Sequence, residues 1–228
     1  MDTIWIIFWV FFALCIIGFL ALVKKTFPTE IKVKSLAMDA MIIAIIVIMG
    51  LIPQVGYIMI LPGLSLTLVH LPVLLGCYIG GPKKGLLYGL VFGLTSWYQA
   101  MFNMSGLNIF FIYPWISVLP RVLFGFIAGL VFSFLRKLLK GKDKFYVTSG
   151  ASFLLTVVHT ALVFSCLFIF YPTEMISLFG STQEITQGVT FFFFGVILLG
   201  AAGEALLAAI LIPILGKVFK EVSVLKKE

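Results

Sequence analysis

Charge is scarce in this sequence, with nine acidic residues, sixteen basic residues and two histidines among 228. At 11% charged residues it holds less than half of the roughly 25% usual in a soluble domain, and its mean hydropathy is +1.20. Spans of about 20 apolar residues use up such a length as six or seven helices. No separate soluble domain is left, and with it no room for a nucleotide-binding fold. Cysteine is nearly absent: Cys15, Cys77 and Cys166 stand singly in apolar runs without C-x-x-C spacing, so they read as packed thiols rather than a disulfide framework. Also missing are G-x-x-x-x-G-K-[ST], G-x-S-x-G and H-E-x-x-H. Those absences argue against ATP hydrolysis by a P-loop and against hydrolase or zinc chemistry. The chain has no internal repeat of the kind alternating-access carriers often display. No cofactor and no metal are expected, and an enzyme is the weaker hypothesis.

What is present is a series of apolar runs separated by lysine-bearing connections. Ile4 to Val23 is free of charge, follows Asp2 and precedes Lys24 and Lys25. That order is the reverse of a secretory signal, so we read a retained helix with its N-terminus outside. Residues 1–34 then form an additional N-terminal transmembrane helix with its cytoplasmic connection. Residues 35–228 form a core of six further helices with a short basic tail. The core helices are expected over Ser35–Ile52, Leu64–Ile79, Lys83–Ala100, Pro114–Leu135, Val147–Phe170 and Val189–Leu215. Gln54–Gly63, Met101–Tyr113 and Tyr171–Gly188 read as outer loops, with Tyr57 an interface aromatic and Glu174 and Glu184 on a solvated face. The fold class is an all-α integral membrane protein.

Two stretches carry packing signals. Gly85, Gly89 and Gly93 lie four residues apart, on one helical face where another backbone can approach closely. Ala37, Ala40 and Ala44 make a second small-residue stripe, serving either packing inside the bundle or docking of another helix.

The positive charges test the topology. Fifteen of the sixteen basic residues fall on the cytoplasmic side of this helix order, which places the C-terminus there as well. The net charge of +7 therefore orients helices, and no nucleic-acid partner is expected. The exception is Arg121, about two turns inside its span. An arginine there costs about 2.5–3.5 kcal/mol on insertion scales, so it faces a cavity or a partner. The alternative to a ligand is an ion pair with Glu204, read as the only acidic residue deep in a helix and as lying deeper than Arg121. His70 and His159 are the remaining titratable candidates inside spans, and neither has a metal-ligand spacing. Gln99, Tyr113, Trp97 and Trp115 cluster at outer helix ends, the tryptophans as an aromatic belt.

Three motifs then converge on a known family. S-L-T-L-V-H-L-P-V-L-L-G leads through G-G-P-K-K-G to G-L-V-F-G-L-T-S; L-P-R-V-L-F-G-F-I-A-G-L follows at Leu119–Leu130, and G-E-A-L-L-A-A-I-L-I-P at Gly203–Pro213. From about Lys34 to Lys217 the chain resembles the substrate-binding S components of energy-coupling factor (ECF) vitamin transporters, six-helix membrane proteins of bacteria and archaea. The subgroup it resembles most includes proteins assigned to pantothenate. The resemblance implies a high-affinity vitamin-binding subunit of the bacterial plasma membrane. Such a subunit captures its vitamin outside and delivers it by associating with a transmembrane coupling subunit and two cytoplasmic ATPases. It implies coupling-subunit docking at Ala40 and Ala44, with Ala37 on the same stripe. It also implies a pocket in the outer half, where Arg121 would bind the carboxylate and Asn103, Asn108, Gln99 or His159 the hydroxyls and amide, with Tyr113 and His70 as further candidates. Two departures stand out: the extra first helix, and His159 where an asparagine is expected. The alternatives are an S component for folate, a pyridoxine-type vitamin or riboflavin and, from another class, a solitary ion-coupled carrier or an intramembrane enzyme.

Overall fold

In a computed structural model of the chain the described residues are Val10 together with 33–61, 64–102, 106–140, 145–179 and 184–224. The expected helix Ile4–Val23 lies outside them except for Val10, which is helical. In order the elements are α1 (Val33–Leu51), a single turn α2 (Pro53–Gly56), the strands β1 (Tyr57–Leu61) and β2 (Leu64–Thr67), α3 (His70–Gly80) and α4 (Pro82–Phe102). A 3-10 helix (Gly106–Ile112), α5 (Pro114–Ser117), α6 (Leu119–Leu138), α7 (Phe145–Phe170), α8 (Pro172–Phe179) and α9 (Glu184–Val224) complete the chain. Among the described residues three helices are long and apolar enough to cross a membrane: Pro114–Leu138, Phe145–Phe170 and Leu198–Phe219. Ser35–Leu51 and His70–Gly80 are shorter apolar helices.

The glycine face explains how tightly the helices meet. A Cβ at Gly85 would strike the Gly125 carbonyl oxygen of α6, and one at Gly89 would strike the Arg121 carbonyl oxygen. A Cβ at Gly93 would sit 2.8 Å from the Val118 Cα. The α4 and α6 backbones are therefore in direct contact along this seam, and the seam fixes where Arg121 stands. Between α3 and α4, Gly81 turns the chain at φ +75°, a conformation that glycine adopts without the Cβ penalty.

Three prolines leave helical carbonyls without a donor, and a side chain from elsewhere reaches each of them. Pro120 offers no N–H to Ile116, and Arg121 Nη1 donates to that carbonyl at 2.8 Å. Pro213 does the same to Ala209, which accepts from Ser149 Oγ at 2.5 Å. Pro82 follows the end of α3, where the Tyr78 carbonyl accepts from Arg136 Nη2. In an apolar layer an unsatisfied carbonyl costs several kcal/mol. These bonds therefore tie α6 to α5, α7 to α9 and α6 to α3.

The core is one apolar cluster in which Ile42 and Ile46 of α1 meet Val73 and Leu74 of α3, Phe92 of α4, Phe124 and Ala128 of α6 and Ile212 of α9. A smaller cluster joins Ile116 to Cys166, Leu167 and Met175, with Tyr113, Trp115 and Tyr171 against it. Cys77 and Cys166 are buried free thiols. Lysine and arginine gather where α4 begins and α6 ends, the basic end; the hairpin β1–β2 lies at the other.

Several expected boundaries change. Leu64–Thr67 is not the start of a helix but a strand, paired antiparallel with β1 through Tyr57↔Thr67 and Ile58↔Leu66, and α3 begins only at His70. The expected loop Gln54–Gly63 supplies α2 and β1 instead. The single helix expected over Pro114–Leu135 divides at Val118 and runs on to Leu138. The expected loop Tyr171–Gly188 contains α8, and α9 starts at Glu184. Tyr57 is not a free interface aromatic, since its hydroxyl lies 3.2 Å from Ser96 Oγ on α4. Trp97 does not belong to a belt: it is buried, and its Nε1 donates to the Ile112 carbonyl at 2.6 Å.

Candidate functional site

The break at Val118 sets up the site. Because Pro120 frees the Ile116 carbonyl, Arg121 spends one guanidinium nitrogen on it and keeps the rest of the head inside the bundle. The residue is 7% exposed, and its Nε has no hydrogen-bond partner. Its Cζ lies 4.8 Å from the Phe111 ring centroid and 5.7 Å from that of Phe92. These aromatic faces attract the cation without neutralising it.

His159 projects from α7 into the same region. Its ring centroid is 4.7 Å from Phe124, 5.6 Å from Phe92 and 5.8 Å from His70, with the two imidazoles stacked at 15°. Two other polar groups on α7 satisfy themselves locally: Ser152 Oγ donates to Thr148 O at 2.8 Å and Thr156 Oγ1 to Ser152 O at 3.0 Å. His159 does not, and both its ring nitrogens are buried without a partner among the described residues. His70 is likewise no lone packing residue. Its Nδ1 donates to the Thr67 carbonyl at 2.6 Å, while Nε2 is buried and unpartnered. Ser117, on α5 just before the break, adds a buried hydroxyl in the same condition.

The hairpin closes over this cluster from one side. Tyr57 on β1 has its hydroxyl pushed up from the usual tyrosine value by burial, against which the Ser96 hydrogen bond and the charge of Arg121 act. At the other strand the Thr67 N–H donates to Glu204 Oε1, from α9.

Glu204 therefore does not pair with Arg121. Its carboxylate is held at the hairpin by the Thr67 N–H, and the ion pair among the described residues is Lys84–Asp39 at 2.7 Å. Asp39, 1% exposed in α1, also corrects the expectation that Glu204 is the only acidic residue deep in a helix. Its Oδ1 accepts from Lys84 Nζ and, at 2.5 Å, from the Tyr88 hydroxyl; Lys84 Nζ also reaches Ser35 Oγ at 2.7 Å.

The bonds and ring contacts that gather Arg121, His70 and His159 do not include Gln99, Asn108 or Tyr113. Gln99 is half-buried on the last turn of α4 and Asn108 half-buried on the 3-10 helix. Tyr113 stacks 5.1 Å from Trp115 and lies 5.3 Å from Tyr171. Asn103 lies outside the described residues. Ala37, Ala40 and Ala44 are exposed on the outer face of α1, so the stripe takes no part in packing among the described residues. No group of three or more His, Cys, Asp or Glu side chains gathers among those residues to hold a metal.

Chain reading singled out the arginine and both histidines but missed Ser117 and the aromatic walls Phe92, Phe111 and Phe124. Phe124 follows Arg121 by three residues on α6, a spacing that brings side chains near one another on a helix, whereas Ser117 lies across the break at Val118. Phe92 and Phe111 leave no such trace. The assembled site offers a fixed cation, ring nitrogens able to donate and accept, and apolar walls. Such a lining suits a small anionic ligand with polar groups beyond its charge.

Residues 34–216 match the family described as ECF transporter, substrate-specific component. The chain is 30% identical over 127 residues to a pantothenate transporter, PanT, of Leuconostoc mesenteroides subsp. mesenteroides, covering 54% of this chain and 61% of that protein. It is 30% identical over 159 residues to a pantothenic acid transporter, PanT, of Lactococcus lactis subsp. cremoris, covering 63% and 77%. The match thus spans under two thirds of the first relative's length and more than that of the second's.

Proposed function

The chain belongs to the family of ECF-transporter substrate-specific components, and on that footing we propose that it is the pantothenate-binding subunit of an ECF-type importer. The observation that carries this reading is the buried Arg121 guanidinium, which among the described residues has no carboxylate counter-ion and stands beside two histidines with ring nitrogens that no described residue partners. A ligand carboxylate supplies the missing charge through bidentate N–H···O bonds, strong because the surroundings are dry. Pantothenate has such a carboxylate at one end, a gem-dimethyl group suited to Phe92 and Phe124, and two hydroxyls and an amide for His159, His70 and Ser117. Gln99, Asn108 and Tyr113 are candidates for the entrance rather than the charged centre.

In this reading the hairpin end faces outside and the basic end faces the cytoplasm, as the lysine distribution favours. The first helix starts outside and the C-terminus is cytoplasmic. Residues 1–34 form an added helix, and residues 35–228 a six-helix core. The exposed Ala37, Ala40 and Ala44 then serve a helix of the transmembrane coupling subunit, through which two ATPases act.

The test is equilibrium binding of radiolabelled pantothenate to the purified chain in lipid nanodiscs, with panthenol, which lacks the carboxylate, as competitor. The expected result is saturable one-to-one binding that pantothenate displaces and panthenol does not. Absence of saturable binding, or equal displacement by both, overturns the reading.

A further inference from the structure

Thr67, at the end of β2, is gripped from two elements at once. Its N–H donates to Glu204 Oε1 of α9, and its carbonyl accepts from His70 Nδ1 at 2.6 Å. A carbonyl oxygen can only accept, so Nδ1 must carry the proton. His70 is 0% exposed, and its ring stacks on that of His159 rather than on a carboxylate. A buried imidazolium without a partner is expensive, so the ring is neutral. With the proton on Nδ1, the buried Nε2 is an acceptor that meets no donor among the described residues.

From these contacts we infer that His70 reads a hydrogen-bond donor of the ligand, apart from the carboxylate taken by Arg121, and that Glu204 is the positioning residue that holds it in this state. The inference rests on the proposed binding of pantothenate and refines it. Arg121 is donor-only and His70 Nε2 is acceptor-only, so the site demands a ligand with an anion and a hydroxyl or N–H at separate places. A ligand carrying only acceptors leaves Nε2 buried and unpaired. Glu204 acts through the peptide: it fixes the Thr67 plane, and the plane fixes the imidazole. Its reach from α9 also ties the hairpin to the site, so the strand that covers the ligand and the group that reads it move as one unit.

The experiment compares pantothenate with three analogues that each lose one donor: the two deoxy compounds and the N-methyl amide. In the unmodified chain one analogue is expected to bind about 10- to 100-fold more weakly, the cost of leaving a buried acceptor unpaired. In His70→Phe, which keeps an aromatic ring and removes the acceptor, pantothenate weakens to the level of that analogue and the discrimination disappears. Glu204→Leu reduces the same discrimination, and Glu204→Gln, which keeps an oxygen for the Thr67 N–H, restores it. A merely structural glutamate would lower affinity for all four ligands alike.

Nitrogen-15 spectra of the unmodified, histidine-labelled protein give a second measure that needs no variant. One of the two histidines should be protonated at Nδ1, with an Nε2 signal that pantothenate shifts and the discriminating analogue does not. Two Nε2-protonated rings, or a His70→Phe chain that still separates the analogues, overturn the donor reading while pantothenate binding stands. Failure of the unmodified chain to bind pantothenate overturns the proposed function and this refinement with it.

Discussion

The bundle holds two buried polar clusters, and their difference lies in who supplies the partners. At α1 and α4, Asp39 takes bonds from Lys84 and Tyr88 through one oxygen, leaving a single unpartnered atom, Oδ2. Around Arg121 the account is reversed: His70, Ser117, Arg121 and both nitrogens of His159 present buried atoms without a partner among the described residues. Burying a charge or polar group without compensation is costly. The first cluster meets that cost inside the chain and reads as structure. The second leaves it open, on the side where the hairpin lies, and reads as a place prepared for a ligand.

The comparison breaks most sharply at Arg121. Arg121→Ala should weaken pantothenate binding by about 4 kcal/mol, roughly a thousandfold, because it strands a carboxylate in a dry site. Unfolding of the ligand-free protein should change by less than binding does, since removal of an uncompensated charge offsets the loss of the bond from Arg121 Nη1 to the Ile116 carbonyl. Calorimetric titration with thermal unfolding in the same detergent checks both, and a loss of stability matching the loss of affinity would make Arg121 structural. Asp39→Ala should do the opposite. It should cost about 3 kcal/mol of stability, toward the low end for a broken buried pair because Lys84 is a fifth exposed, with pantothenate affinity of the folded fraction retained. Thermal unfolding of that variant, with binding measured well below its transition, is the check.

A smaller effect belongs to His159. His159→Phe keeps a ring for the contacts with Phe92, Phe124 and His70 but removes both nitrogens. Binding should weaken by about 1–2 kcal/mol, the worth of an ordinary buried hydrogen bond, with stability held. Isothermal titration resolves such a change, and an unaltered affinity would confine His159 to packing.

How much of this was legible in the chain follows from what each residue announces by itself. Arg121 stood out because a charge inside an apolar span is rare, and the glycine face because its spacing is periodic. Asp39 obeys the same rule as Arg121 and was missed because it sits near the start of its helix, where an acid passes for a terminus. The hairpin was hidden for a different reason: Tyr57–Leu61 and Leu64–Thr67 are short and mostly apolar, and such runs do not distinguish strand from helix by periodicity. The break at Val118 was written in Pro120, but its consequence, a freed carbonyl that Arg121 occupies, needed the fold. The stacking of His70 on His159 joins positions far apart in sequence, and nothing local encodes it.

The smallest expected effect on the isolated chain lies on α1 itself, which has both kinds of face. Asp39 points into the bundle and is partnered there, while its neighbours Ala37, Ala40 and Ala44 are exposed together with Leu36 and Met41. Ala40→Leu adds a side chain where no described residue covers the helix, so stability should move by less than about 0.5 kcal/mol and pantothenate affinity should not move. A second helix packed on small residues has no room for that side chain. Co-purification with the coupling subunit and ATPases, and uptake in cells that express them, should therefore fall while binding by the purified chain persists. Lost binding would place this face inside the ligand's reach; intact assembly and uptake would leave the stripe facing lipid.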